Sequence, residues 1–147
     1  MDTPTHRGPQ VIHLTTHSSA QATAARSRFL EHRGKRMLLL DYSGLGADPA
    51  ELQAEIDRSK AMIANEAPGT VLTICDVRGS KITPTNVRAM QQLVQHNTPF
   101  VRWGAVVIGL TGVYLTAFRA TQALSRRKNL RAFNDVDEAK EWLAQQP

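Results

Sequence analysis

The stretch Val71–Asn86, VLTICDVRGSKITPTN, constrains this chain more than any other. Val71, Leu72, Ile74 and Cys75 form a short apolar, β-branched run with no regular polar face, the pattern of a strand buried on both sides of a parallel sheet. Asp76 ends the run, Arg78-Gly79-Ser80-Lys81 form a turn, and Thr83 before Pro84 is an N-cap and first-turn pair for a helix. A strand covered on both faces needs layers above and below it, and ligands of open α/β sheets gather at strand C-terminal ends. The loop from Asp76 to Thr83 is therefore where function is expected.

The same unit recurs along the chain. Met37–Leu40 reads as an apolar strand closed by Asp41-Tyr42-Ser43-Gly44. Asp48, Pro49 and Glu51 then form a capping box that opens a helix with Leu52, Ile56, Ser59 and Ile63 inward. Pro68-Gly69 leads into the central strand. Val87, Met90, Leu93 and Val94 mark the inner side of the next helix, which has to stop before Thr98-Pro99. Ala105–Leu110 is another apolar strand. Gly109, Thr111 and Gly112 turn the chain into a helix lined by Val113, Ala117, Ala120 and Leu124, whose basic end Arg126-Arg127-Lys128 complements the helix dipole. Leu130–Phe133 reads as an edge strand, and Asp135 with Glu138 caps a last helix carrying Val136, Ala139, Trp142 and Leu143. Strand alternating with helix four times predicts an α/β fold: a mainly parallel sheet of four to five strands with helices on both faces.

A chain of 147 residues is one ordinary domain. Residues 1–25 are expected as an arm, either frayed or adding an edge strand through Val11, Ile12 and Leu14, and 26–147 as a single α/β domain. Ala22, Ala25, Phe29 and Leu30 also recur near helical spacing, so a short helix within Ala20–His32 is the alternative there. The lone Cys75 forms no disulfide framework and suits a reducing compartment, with a buried structural thiol as the expected role. No apolar run reaches the ~20 residues of a membrane span, and the start Met1-Asp2-Thr3-Pro4 has no signal pattern, so a cytoplasmic location is expected. Of the +5 formal charge, +4 falls within residues 1–40. The nearly neutral body lacks aromatics interleaved with basic residues, which argues against nucleic acid as a partner.

Sites with known chemistry are each weighed and set aside. Gly44-Leu45-Gly46 lacks the third glycine of a dinucleotide fingerprint, and Gly109-Leu110-Thr111-Gly112 lacks the Gly-Lys-Ser/Thr ending of a phosphate loop. The histidines are scattered without metal spacing, so no metal or cofactor is expected. The only histidine after Ser80 is His96, at a helix end, which does not suit a serine hydrolase. Asp41, Asp76 and Thr111 close three successive strands, as in the acid pocket of phospho-receiver domains. Phe133-Asn134, however, stands where a receiver places its lysine, and the first strand offers one acid instead of two. With no convergent catalytic set, the expectation is a non-enzymatic module.

One resemblance spans Arg36 to Gln146. Asp41-Tyr42-Ser43-Gly44-Leu45, Val71-Leu72-Thr73 with Asp76-Val77, His96-Asn97-Thr98-Pro99-Phe100-Val101, Ala105-Val106-Val107, and Phe133-Asn134-Asp135 with Glu138-Ala139 and Trp142-Leu143 together resemble bacterial STAS-domain proteins of the SpoIIAA-like, anti-sigma-factor-antagonist type. The resemblance implies a regulatory module that binds a protein partner, an anti-sigma factor or kinase-like protein, and is switched by phosphorylation of a hydroxyl after a central strand. Antagonists of this type carry an Asp-Ser-Ser-Gly-like turn there. Here Val77-Arg78-Gly79 follows Asp76, so Ser80 and Thr83 become the candidate phosphoacceptors. Ser43, in Asp41–Gly46, matches that turn in letters but precedes the first helix. Asp41, Asp76, Arg78, Lys81 and Thr111 are the candidate interaction or ligand residues. The alternative function is small-molecule or lipid binding in the crevice at the strand C-terminal ends, formed by the loops after Asp41, Asp76 and Gly109.

Overall fold

The computed structural model describes residues 26–109 and 128–147. The arm over 1–25, Thr111 and the helix expected over Val113–Leu124 lie outside them. The described residues build one five-stranded sheet in the order β1-β2-β3-β4-β5. Its strands are β1 (Arg28–His32), β2 (Lys35–Asp41), β3 (Val71–Asp76), β4 (Val101–Val107) and β5 (Leu130–Phe133). Three helices accompany it: α1 (Pro49–Ile63), α2 (Pro84–Asn97) and α3 (Val136–Ala144). Strands β2 to β5 run parallel, and β1 alone is antiparallel, so the sheet is mixed but mostly parallel. No helix among the described residues is long and apolar enough to cross a membrane.

The short helix offered within Ala20–His32 is corrected over Arg28–His32, which is a strand. Arg33 and Gly34 both take positive φ, 51° and 78°, and this two-residue turn folds β1 back on β2 with His32 opposite Lys35 and Phe29 opposite Leu38. Inter-strand pairing outweighs the weak helical spacing, and the strand's alternation lets Phe29 and Leu30 serve opposite faces of the sheet.

The period-two geometry of β2 divides the core. Leu38 and Leu40 join Leu52, Ile56 and Ile63 of α1 and Leu93 of α2 on one face. Met37 and Leu39 join Leu72, Ile74, Ala105 and Val107 with Ala139 and Leu143 of α3 on the other. All four of these β2 residues are at most 6% exposed, so each contributes roughly 1.5–3 kcal/mol of burial. The sheet thus has helices on both faces, and β5 lies at its edge as its pattern implied.

Helix starts follow the chain's polar punctuation. Thr83 Oγ1 accepts from Asn86 N at 3.1 Å, and Asp135 Oδ1 accepts from Glu138 N at 2.8 Å. Asp48 caps α1 through Ala50 N at 3.0 Å, one residue earlier than the Glu51 of a capping box.

At the β4–β5 boundary, Gly104 is required for close approach. A Cβ there would sit 2.5 Å from Leu130 Cδ2 and 3.1 Å from Thr73 Oγ1. Gly104→Val should therefore lower stability by about 2 kcal/mol through overpacking. Thermal denaturation should show the midpoint falling by roughly 4–8 °C.

Candidate functional site

Parallel pairing of β2 and β3 sets Asp41 directly beside Asp76, so the loops leaving both strands start side by side. Backbone bonds continue past the strand ends: Tyr42 N donates to Asp76 O at 2.9 Å, Gly44 N to Arg78 O at 2.9 Å, and Lys81 N to Leu45 O at 2.8 Å. Asn86, buried in the first turn of α2, clamps the two loops together. Its Nδ2 donates to Gly46 O and to Lys81 O, each at 3.0 Å. Gly46 has to be glycine twice over: its φ is +108°, and a Cβ would meet Asn86 Nδ2 at 2.7 Å.

Each acid turns back onto its own surroundings. Asp41 Oδ1 accepts from Ser43 N at 3.0 Å, Ser43 Oγ at 2.6 Å and Arg26 Nη1 at 3.3 Å. Asp76, 5% exposed, is held by Arg78 through Nε at 3.0 Å and Nη2 at 2.8 Å, and it also accepts from Arg78 N at 3.1 Å. The hydrogen bonds that Arg78 donates to Asp76, more than the charge of Asp76, raise the Arg78 pKa above the ordinary guanidinium value. An acid pair consumed in this way is poorly placed to gather a cation between its members. Among the described residues, no cluster of three or more His, Cys, Asp or Glu side chains is placed to hold a metal.

The hydroxyl candidates differ from one another. Ser80 Oγ donates to Val77 O at 2.8 Å, so a phosphate on Ser80 would remove that donor. Thr83 Oγ1 acts as an acceptor at the α2 N-terminus, a role that a phosphate oxygen can fill while adding negative charge where the helix dipole favours it. Arg78 and Lys81 are exposed on the same loop, and Thr111 lies outside the described residues.

Beneath this loop is a feature that no spacing announced. Between α2 and the sheet lies a cavity of about 130 Å³, walled mainly by apolar side chains and reaching Ser80, Lys81 and Ile82. Val87, Met90 and Val94 of α2 line it, which is why this helix stripe is only half-buried although it faces inward. Thr73 and Cys75 of β3 form part of the sheet wall. Burial first, then the carboxylates of Asp76 and Asp41, push the Cys75 thiol up to about 12. Burial likewise raises Tyr42 well above the usual phenol value, and its hydroxyl pairs with that of Ser59. The site is therefore lined by neutral groups on its sheet side. Sequence reasoning missed Thr73, Gly46 and Asn86. The available signal was an asparagine in the first turn of a helix, facing a glycine-rich loop.

Two outcomes follow. Thr83→Ala should cost about 1 kcal/mol in urea denaturation, while Thr83→Asp should retain most of that stability by capping in its place. Because the thiol stays protonated until the pH approaches 12, alkylation of Cys75 by iodoacetamide at pH 8 should be on the order of a hundredfold or more slower in the folded chain than in urea, with the rate rising as pH climbs.

No protein-family model, no curated protein and no solved structure matches this chain. The likeness to STAS-domain proteins therefore rests on the residues quoted for it.

Proposed function

We propose that this chain is a non-enzymatic regulatory module, of the kind its STAS-like residues resemble, whose input is a small apolar ligand held between α2 and the sheet. The observation that carries this reading is the cavity of about 130 Å³ under the β3–α2 loop. An apolar pocket with a few converging polar groups is the default binding site of an uncharacterised fold. Its size supports the small-molecule end of the two ligand classes. A lipid or nucleotide needs several hundred Å³, whereas an engineered apolar cavity of ~150 Å³ accommodates benzene.

The chemistry around the cavity supports binding over turnover. Asp76 is neutralised by Arg78, Asp41 is bonded within its own turn, and the Cys75 thiol is protonated at working pH. A nucleophile or general base would have to be freed from one of these arrangements first.

The loop is also the natural place for a protein partner to sense occupancy. Ile82 is 38% exposed, the one large apolar side chain in that state among the described residues, and it lines the same cavity. A ligand pressing on Ile82 and Lys81 would alter what a partner meets there. Phosphorylation at Thr83 would act on the same loop through charge.

Native mass spectrometry of freshly purified protein tests this reading. A co-purified small mass should be present, or added small aromatics should bind one to one. Val94→Phe, which fills the cavity from α2, should abolish that binding while leaving the thermal midpoint unchanged or raised. Binding that persists unaltered in Val94→Phe would place the ligand elsewhere.

A further inference from the structure

Thr73 occupies an unusual position. It is 5% exposed, it lies in the middle of the central strand, and it forms part of the cavity wall. Its neighbour across the sheet is Gly104, whose missing side chain leaves room for the hydroxyl: a Cβ there would lie 3.1 Å from Thr73 Oγ1. Other buried polar side chains nearby each have at least one partner. Asn86 bonds two carbonyls, Asn97 Oδ1 pairs with His96 Nδ1 at 2.8 Å, and Ser59 donates to Ile56 O at 2.9 Å. The Thr73 hydroxyl has no hydrogen-bond partner among the described residues. A buried hydroxyl left without one is costly, and natural structures almost always satisfy it.

Resting on the ligand-binding reading above, we propose that the cavity selects a compact neutral molecule of about benzene size bearing one hydroxyl, such as a phenol, and that Thr73 is the residue that reads that hydroxyl. Three observations converge on this class. The volume of about 130 Å³ suits a single six-membered ring better than a fused pair. The walls contributed by Val87, Met90, Val94 and Val106 offer dispersion contacts and no charge. Thr73 can both donate and accept, which matches a hydroxyl better than it matches a carboxylate or an ammonium. A charged ligand would have to give up its hydration in a pocket where, among the described residues, only Lys81, at the loop, carries charge.

The test uses the full chain titrated with benzene, phenol and 1-naphthol, followed by calorimetry and by amide chemical shifts. Phenol should bind about three- to tenfold tighter than benzene, the increment of one ordinary hydrogen bond. 1-Naphthol should not bind. In Thr73→Val, which keeps the shape and removes the hydroxyl, benzene affinity should be retained and the phenol advantage lost. Thr73→Ser should restore it. Equal affinity for phenol and benzene in the unaltered chain, or a phenol advantage that survives Thr73→Val, overturns the role of Thr73 while leaving the ligand-binding reading standing. Binding of 1-naphthol overturns the size limit. Failure of both benzene and phenol to bind overturns this inference together with the reading beneath it.

Discussion

Everything in this fold depends on β3 having no solvent face. Val71 to Ile74 are buried, Asp76 is buried, and only Cys75 keeps accessible surface, on the cavity side. A strand in that position must be flanked by paired strands on both edges and by side-chain layers on both faces, because any unpaired backbone group or uncovered apolar side chain there would cost free energy. The neighbours supply this: β2 and β4 pair with it in parallel, α1 and α2 cover one face, and α3 covers the other. The acid at the end of β3 follows the same logic. Asp76 emerges from the sheet still buried, and it is tolerated because Arg78, two residues on, returns to neutralise it.

That constraint also explains where packing is incomplete. On the α3 face, alternate residues of β2, β3 and β4 pack around Ala139 and Leu143, α3 being the helix of the described residues on that face. The opposite face has more width to fill. Leu52, Ile56 and Ile63 of α1 fill the part over β2, and Leu93 fills part of the space under α2. Val87, Met90 and Val94 stand off from Thr73, Cys75 and Val106, and the cavity is the gap between them. The polar clamp made by Asn86 holds the N-terminal end of α2 to both loops.

Much of this was legible in the chain. The apolar runs of β2 and β3, the caps at Asp48, Thr83 and Asp135, and the stop of α2 before Thr98-Pro99 are local signals that appear where they were expected, whereas β4 runs Val101–Val107 and so begins four residues before the expected Ala105–Leu110, because pairing with β3 extends it back through Arg102 and Trp103. The hairpin strand β1 was not legible, because its evidence is the pairing with β2: Arg28–His32 alone has the spacing of either element. The loop residues Asp41, Asp76, Arg78 and Lys81 were found as neighbours, but their bonding could not be read from spacing, since it depends on Arg78 folding back and on Arg26 reaching Asp41 from fifteen residues away. Thr73 was invisible for the same reason. A threonine within an apolar strand is ordinary in sequence, and it becomes informative only when Gly104 and the space below α2 are known.

The junction just before β1 is tied to the loops that carry the candidate site. Arg26 bonds both Asp41 Oδ1 and, at 2.8 Å, Ser43 O. Ser27 Oγ accepts from Asp41 N at 3.1 Å, while Ser27 N donates to Glu55 Oε2 at 3.1 Å and its carbonyl accepts from Arg58. Arg26 and Ser27 are thereby held beside the ends of β2 and β3, next to the loop that roofs the cavity. Releasing Arg26 would leave the Asp41 carboxylate bonded, among the described residues, only within its own turn, so the charge balance at the mouth of the site is set by a residue fifteen positions away in the chain.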